Sequence, residues 1–276
     1  MPSTQEWAAP RLAAKSGEVA RPGYSDTSAS EYLDKKDVLK AKVKAVAALI
    51  RSSSRVVVYT GAGISTASGI GDYASKATNS VAPHLAKGKV RGGGGSRLVA
   101  RPTLAHHALA ALQQKGRIQH WLQQNHDRLA QKAGFPQAKI NEVHGAWGDD
   151  YNPVVLMDGE LRPDMAAWME AWATEADLVI AVGTTLCGMY ADCVAQAAAS
   201  GRNKNLVIVN LQPTPLDDGA SVRAWALCDD FFALLAKELG VKSLPDKRCA
   251  DRGEEWDRSH PGCKYRTPKR TAASAM

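Results

Sequence analysis

The sequence has 276 residues, an apolar fraction of 45% and a formal net charge of +7, which allows one large domain or two small ones with a substantial core. No run of 18 or more apolar residues occurs and residues 1–20 lack an apolar signal core, so we expect neither a transmembrane helix nor a secretory signal. The five cysteines include no pair with the C-x-x-C spacing of a zinc site, and their odd number argues against a full disulfide framework. A reducing compartment is the simpler interpretation.

Charge is distributed unevenly along the chain. Residues 73–126 contain eight Lys and Arg but no Asp or Glu, whereas residues 142–177 contain nine acidic residues and one basic residue, Arg162. A fold that brings these segments together would have one wall for phosphates and another for a cationic peptide. Contact with nucleic acid through the basic segments is a further interpretation, and the alternative is that both segments are simply solvated faces.

The first third of the chain predicts a tail followed by a helix and a buried strand. Residues 1–33 are rich in Ala, Ser, Pro and Gly without a sustained period, which predicts a disordered tail. Apolar residues at helical spacing predict a helix over 37–51. The β-branched and aromatic run Val56–Thr60 predicts a strand buried on both faces.

The turn after this strand matches part of a dinucleotide-binding fingerprint. Gly61 and Gly63 permit a tight turn and the close approach of a ligand, and Ser65 and Thr66 are candidate caps of a following helix. Residue 66 is Thr where the fingerprint has a third Gly or Ala. The alternative is an ordinary strand–turn–helix with glycines for packing.

The rest of the chain alternates helices with strands. Residues 71–102, which include Gly92–Gly95, predict an irregular basic loop that either closes over an anionic ligand or is an unstructured insertion. Strands are predicted over 117–123, 140–145, 178–182 and 206–211. Helices are predicted over 102–115, after Asp127 as far as Gly134, and over 161–172, 191–200 and 229–239. This alternation predicts an α/β fold with a doubly wound, Rossmann-like parallel sheet. Polar or small residues follow three strands and predict a ligand crevice: Gly61–Gly63, Gly183–Thr185, and Asn210 with Gln212.

Six collinear segments resemble the motifs of the sirtuin family of NAD-dependent protein deacylases, in a form closest to its nuclear branch. They span about residues 30 to 240 and are Gly61–Ile70, Gln124-Asn125-His126-Asp127, Val143-His144-Gly145, Gly159–Pro163, Gly183-Thr184-Thr185-Leu186, and Val209–Thr214 with Cys228-Asp229-Asp230. The implied organisation is an N-terminal tail over 1–33, a sirtuin-like NAD-binding catalytic domain over 34–241 and a basic C-terminal tail over 242–276.

The resemblance implies NAD as the cofactor and an acyl transfer. The carbonyl oxygen of an acylated lysine attacks the nicotinamide ribose, nicotinamide leaves, and the products are free lysine and acylated ADP-ribose. His144 is the implied general base, Asp127 would bind the nicotinamide amide and Asn125 the adjoining ribose. The implied cofactor contacts are Gly61, Ala62, Gly63, Ile64, Ser65, Thr66, Asp72, Tyr73, Gln124, Asn125, Asp127, Gly183, Thr184, Thr185, Asn210, Leu211 and Cys228. For each polar residue the alternative is a structural cap or a core hydrogen bond.

The sequence departs from the family pattern in three places. The family's Pro-Asp-Phe-Arg reads Gly71-Asp72-Tyr73-Ala74 here, so a charged contact near the cofactor is lost at Ala74. Arg128 stands where a Gly is usual, and Ala130 where a His is usual. The family's small domain holds zinc through two cysteine pairs after the His-Gly motif, whereas residues 146–158 contain no cysteine and are too few for that module. We therefore expect no structural zinc or other metal, and a reduced or missing small domain.

The resemblance implies an NAD-dependent protein-lysine deacetylase or deacylase, and its closest branch together with the basic tails implies a nuclear location. Its partner would be the acylated lysine of a protein such as a histone tail, without membrane association. One alternative is a catalytically degenerate sirtuin-like module that binds NAD or ADP-ribose or acts as a chromatin scaffold. A second is an NAD oxidoreductase, which only the predicted nucleotide-binding fold supports. The alternative location is the cytoplasm.

Overall fold

The computed structural model describes residues 7–83, 100–156 and 159–241. In this part of the chain the main sheet has six parallel strands, which are β3 (Val56–Thr60), β4 (His120–Gln123), β5 (Ile140–Glu142), β6 (Leu178–Val182), β7 (Asn205–Val209) and β8 (Val222–Ala224). Their spatial order is β5–β4–β3–β6–β7–β8. The strand order reverses between β3 and β6, which is the switch point where ligands bind in doubly wound sheets.

Helices cover both faces of this sheet. They are α1 (Lys36–Ser52), α2 (Leu104–Gln114), α3 (Leu129–Lys132), α4 (Pro163–Glu175), α5 (Cys193–Ser200) and α6 (Cys228–Glu238). Successive side chains of a strand point to opposite faces. Val56 and Val58 therefore join the core under α1, α2 and α6, whereas Val57 and Tyr59 join the core under α4 and α5. The predicted doubly wound α/β fold is confirmed.

The central strands coincide with the prediction, and their register decides where the ligand crevice lies. Both β3 and β6 have the predicted bounds, and all five residues of each are buried. Thr60 pairs with Val182, the last residue of its strand. The turns that follow the two strands therefore leave the sheet side by side at its carboxyl edge.

Residues 11–33 do not form the predicted disordered tail. Strand β1 (Arg11–Ala14) pairs antiparallel with β2 (Glu31–Leu33), and Ala20 and Ala29 between them are buried. Both strands are too short to show a period in the sequence, and the buried side chains are mainly alanines, so nothing in the pattern indicates burial. We call residues 11–34 the N-terminal arm. Residues 1–6 and the predicted C-terminal tail, 242–276, lie outside the described residues.

Three other local predictions need correction or restriction. The segment after the glycine turn is a 3-10 helix, Ala62–Ser68, with Gly61 at its N-cap position and no side-chain cap. Ser65 and Thr66 therefore lie inside this helix and do not cap it. Strand β8 was not predicted, since three residues give no period. The glycine run at residues 92–95 lies outside the described residues. No helix in the described ranges is long and apolar enough to cross a bilayer.

Helix α2 begins with a buried histidine that cannot easily accept a proton. The Thr103 hydroxyl and the His106 ring form a capping box at the start of the helix. His106 is 0% exposed and stacks on Trp121 with ring centroids 5.7 Å apart. Burial lowers the pKa of His106 to about 4, because desolvation penalises the charged imidazolium.

His106 is expected to make the fold sensitive to acid. In the unfolded chain a histidine binds a proton below about pH 6.5, whereas the folded chain excludes it down to about pH 4. Between these values each decrease of one pH unit should lower the free energy of unfolding by about 1.4 kcal/mol, because only the unfolded chain binds the proton. Urea unfolding of the His106→Gln variant between pH 4.5 and 6 should show a slope against pH that is smaller by this amount. Parallel curves for the two proteins would contradict the expectation.

Candidate active site

The glycines at the switch point hold two strand ends together. The Gly63 amide donates to the Gly183 carbonyl at 2.8 Å and the Gly61 amide to that of Val182 at 3.0 Å. A Cβ on Gly61 would lie 2.8 Å from the Gly183 oxygen, and one on Gly63 would lie 2.7 Å from the Gly183 Cα. These two glycines are therefore required by backbone packing, which was the alternative interpretation of the turn. They bring the motifs that begin at Gly61 and Gly183 into direct contact.

A hydrogen-bond chain joins this turn to the end of β4. The Asn125 side-chain amide donates to the Gly61 carbonyl and to the Ser65 hydroxyl, at 3.1 Å each. The Ser65 hydroxyl donates to Asp127 Oδ2 at 2.6 Å, and the amide of Leu129 donates to Asp127 Oδ1 at 2.9 Å. The structure thus brings Ser65 together with Asn125 and Asp127, which belong to a different motif.

Removing the Ser65 hydroxyl is expected to destabilise this chain of hydrogen bonds. Ser65 is 0% exposed and Asp127 is 2% exposed, so Ser65→Ala leaves a buried carboxylate without its hydroxyl donor, at a cost of about 1–3 kcal/mol in the free energy of unfolding. The matched control is Ser52→Ala, whose exposed hydroxyl donates only to the Leu49 carbonyl and should change stability by less than about 0.5 kcal/mol. If chemical denaturation shows the same loss in the free energy of unfolding for both variants, the Ser65 hydrogen bonds do not stabilise the fold more than an exposed one does.

His144 is held at the end of β5 in a defined protonation state. Its Nδ1 lies 3.2 Å from the Gln124 carbonyl oxygen. Because a carbonyl oxygen only accepts, Nδ1 carries the proton and Nε2 carries the lone pair. The residue is 8% exposed, and burial lowers its pKa to about 4. His144 is therefore neutral at pH 7, with an Nε2 able to take a proton.

A second polar cluster, which sequence reasoning missed, supports Gln124. The Tyr59 hydroxyl donates to Asp192 Oδ1 at 2.7 Å, and the Gln124 amide donates to the Tyr59 hydroxyl and to Thr184 Oγ1 at 3.2 Å. Burial is the main cause of the raised pKa of both Tyr59 and Asp192. The cluster fixes the residue whose carbonyl orients His144. Asp192 lies in a short 3-10 helix outside every motif, so no sequence signal indicates it.

The third predicted segment reaches the crevice mainly through its backbone. Asn210 follows β7, and its side chain donates to the Gln212 carbonyl at 3.1 Å, a buried hydrogen bond of the kind considered as the alternative. The carbonyl of Leu211 accepts from the Tyr32 amide of the N-terminal arm at 2.9 Å. Arg223, which was not predicted, donates to the Asn210 and Gln212 carbonyls at 3.0 and 2.6 Å. This guanidinium shapes the turn.

The remaining predicted contacts differ in how closely they approach the glycine turn. The Cys228 thiol lies 3.8 Å from the Gly63 carbonyl, and burial raises its pKa to about 12. The Asp72 carboxylate accepts from the amide and hydroxyl of Ser75 at 2.8 and 2.9 Å. Thr185 is half-buried, and its backbone carbonyl accepts a hydrogen bond from the Cys187 thiol at 3.2 Å. The Tyr73 side chain is 86% exposed, so the structure does not pack it against the other site residues.

Comparison with known proteins places this site in a family. The family model described as "Sir2 family" matches residues 96–150. An NAD-dependent protein deacetylase of Saccharolobus solfataricus is 31% identical over 221 residues, which cover 62% of this chain and 87% of that protein. The chain belongs to the Sir2 family, the sirtuins. The resemblance inferred from the collinear motifs is thereby confirmed.

Two further comparisons define how far this sirtuin resembles others. The NAD-dependent protein deacetylase sirtuin-7 of Mus musculus is 31% identical over 257 residues, which cover 77% of this chain. The chain spans 63% of the length of the mammalian relatives of this name that it matches. The solved structure entitled "Sir2-p53 peptide-NAD+" superposes with a TM-score of 0.58 and 26% identity, and the match covers 72% of this chain and 99% of that one.

The departures of this sirtuin from the family pattern have local structural counterparts. Arg128, where a Gly is usual, has φ +59° and ψ +22°, a left-handed conformation that favours glycine. Within the connection between β5 and α4, the His144 carbonyl accepts from the Val155 amide at 2.9 Å. Among residues 7–83, 100–156 and 159–241, no group of three or more His, Cys, Asp or Glu could hold a metal ion. The absence of zinc stays a prediction.

Proposed function

We propose that this sirtuin is an NAD-dependent protein-lysine deacylase. The observation that carries the proposal is His144, which is neutral and follows β5 at the carboxyl edge of the sheet, where hydrogen bonds join Asn125, Asp127 and the glycine turn. A general base must be unprotonated at the working pH and must lie beside the bound reactants. Its place among collinear family motifs supports this role.

The residues at the switch point fit NAD in chemical type. Asp127 has carboxylate lone pairs for the two N–H groups of the nicotinamide amide, and Asn125 has an amide carbonyl for a ribose hydroxyl. The backbone turn from Gly61 and the start of the 3-10 helix lie at the carboxyl edge of the parallel sheet, where phosphate-bearing ligands bind in this class of fold. The crevice therefore supplies side-chain acceptors for the nicotinamide amide and the ribose.

The chain's own residues would orient the reactants and hold one proton. Bound NAD supplies an electrophilic ribose carbon and a nicotinamide leaving group. His144 Nε2 would take the proton of a ribose hydroxyl, and the Nδ1–H bond to the Gln124 carbonyl would stabilise the imidazolium that forms. The cluster of Tyr59, Gln124 and Asp192 keeps that carbonyl in place. Acyl transfer to the ribose, with the addition of one water molecule, would leave the free lysine amine of the protein substrate and O-acylated ADP-ribose.

A nicotinamide-release assay tests the proposal. The full chain is incubated with NAD and an acetyl-lysine peptide, with the same peptide carrying unmodified lysine as the matched control. Release that depends on the acetyl group supports a deacylase. If NAD or ADP-ribose binds in calorimetry but no acetyl-dependent release occurs, the chain is the degenerate binding module considered from the sequence. Reduction or oxidation of NAD without nicotinamide release would favour an oxidoreductase.

The protein substrate and the cellular location are proposed from the reaction and from the relatives. An acylated lysine in a protein is the partner that the reaction requires, and the relative in the p53 peptide complex carries a peptide. We propose nuclear residence and histone tails as substrates, on the similarity to the sirtuin-7 proteins and the basic segments of the sequence. Imaging of a tagged protein with and without residues 258–276 tests the contribution of the basic tail, and exclusion of both forms from the nucleus would contradict the proposal.

A further inference from the structure

The N-terminal arm forms a hairpin whose tip lies at the carboxyl edge of the main sheet. Its two sides are joined by the bonds from the Ala20 amide to the Thr27 carbonyl at 2.8 Å and from the Ala29 amide to the Glu18 carbonyl at 2.9 Å. The base of the arm is anchored to the body, because the Glu31 carboxylate accepts from the Ser80 hydroxyl at 2.5 Å and from the Val81 amide at 2.7 Å. The tip is thus a built part of the molecule.

The hairpin packs on the position where the family arginine is missing. Ala20, Ala29 and Cys187 form a buried apolar cluster, and Ala74 packs against it. Position 74 is the residue that ends the family's Pro-Asp-Phe-Arg segment. Ala74 is partly buried, so position 74 lies directly beside the hairpin of the arm.

The arm carries an arginine of its own beside this cluster. Arg21 donates from Nη1 to the Cys187 carbonyl at 2.9 Å, and its guanidinium lies over the Tyr24 ring, 3.6 Å from the centroid. Arg21 has no ion-pair partner among the described residues. A guanidinium has five N–H donors, so this contact leaves donors and a full positive charge for another group.

The charge of Arg21 acts on the proposed active site. Burial is the main cause of the low pKa of His144, and the Arg21 charge lowers that pKa further. Burial raises the pKa of Asp192, and the Arg21 charge opposes this rise. Arg21 is therefore within electrostatic range of both the proposed base and the cluster that orients it. A ligand in this crevice would meet a positive charge from the arm.

We propose that Arg21 binds the diphosphate of NAD, so that the N-terminal arm supplies the guanidinium that the family motif carries at position 74. The inference rests on the proposed function, because it takes NAD as the ligand. The diphosphate is the anionic part of NAD, and guanidinium groups pair with phosphate oxygens through charge-assisted bonds. Chain connectivity differs from the family pattern, but the chemical group near the cofactor is retained.

Calorimetric binding of ADP-ribose and adenosine to the full chain tests this assignment. Arg21→Ala should weaken ADP-ribose binding by about tenfold or more, leave adenosine binding within a factor of two, and reduce the salt dependence of ADP-ribose binding. Arg21→Lys should recover part of the loss, because it keeps the charge. The matched control is Arg11→Ala, which removes an exposed arginine from the same arm and should change neither affinity.

Four results would overturn the assignment. Unchanged ADP-ribose affinity in Arg21→Ala would show that the guanidinium does not contact the ligand, and tighter binding would show that the arm obstructs the site. Equal losses for ADP-ribose and adenosine, or a loss of equal size in Arg11→Ala, would indicate a structural effect of the arm. If the unmodified chain binds neither NAD nor ADP-ribose, the proposed function fails as well, which distinguishes the two failures.

Discussion

Replacing His144 by alanine is expected to lower acetyl-dependent nicotinamide release by a factor of about 10²–10⁴, the usual contribution of a general base. The imidazole is neutral because burial lowers its pKa to about 4. Protonation of His144 in the free protein should therefore reduce kcat/KM only as the pH falls towards 4. Steady-state rates between pH 4.5 and 8 check both statements, and the affinity for ADP-ribose should change much less than the rate.

The control for this variant is His120→Gln. His120 begins β4, at the end of the strand opposite to the proposed site, and it stacks on Trp172 with ring centroids 4.3 Å apart. Its replacement should leave the rate per folded molecule within about threefold, which corresponds to less than about 1 kcal/mol. A comparable loss of rate in both variants, or a His144→Ala protein with full activity, would mean that His144 is not the base.

Gly183→Ala is expected to be the most destabilising single-methyl change at the switch point. Gly183 has φ +59°, and an added Cβ would lie 2.4 Å from the Ile64 amide nitrogen and 2.7 Å from the Gly63 carbonyl carbon. Both neighbours are backbone atoms, so relief requires the β3 and β6 ends to separate. We expect a loss of more than about 4 kcal/mol in the free energy of unfolding, measured by urea denaturation.

Gly69→Ala separates backbone strain from steric overlap. Gly69 also has a positive φ, +81°, but a Cβ there would meet nothing within 4 Å. Its replacement should cost only the left-handed conformation, about 1–2 kcal/mol. If Gly183→Ala and Gly69→Ala are equally destabilising, the close approach of the two turns does not limit stability. If Gly183→Ala folds normally, its ADP-ribose affinity shows whether the glycine contact matters for the crevice instead.

Much of the sheet could be predicted because its strands carry strong local patterns. Val56–Thr60 and Leu178–Val182 are continuous apolar runs buried on both faces, and the structure reproduces their bounds. The fold class followed from the alternation of such runs with helical periods. Short elements were lost for the opposite reason, since three residues of β8 or β2 contain too few positions to define a period.

The candidate site was predicted by residue type but not by contact. The motifs indicated Ser65, Asn125 and Asp127, yet Ser65 was interpreted as a cap of the next helix, whereas its hydroxyl bridges the other two side chains. The sequence indicated that Gly61 and Gly63 are needed for a tight turn and ligand approach. The structure shows that they are needed because a Cβ at either position would clash with the Gly183 backbone. A local pattern shows that a residue is unusual, and only its neighbours in space show why.

The sequence by itself determined the alternating fold, the order of the sirtuin motifs and the choice of His144 as the candidate general base, because each of these depends on residues close together in the chain. Tertiary structure alone decided the tautomer of His144, which depends on the Gln124 carbonyl, and the place of the N-terminal arm against the body. Arg21 and Cys187 are separated by 166 positions. No local pattern encodes such a contact, so the proposal that Arg21 replaces the charge absent at position 74 depends on the folded structure.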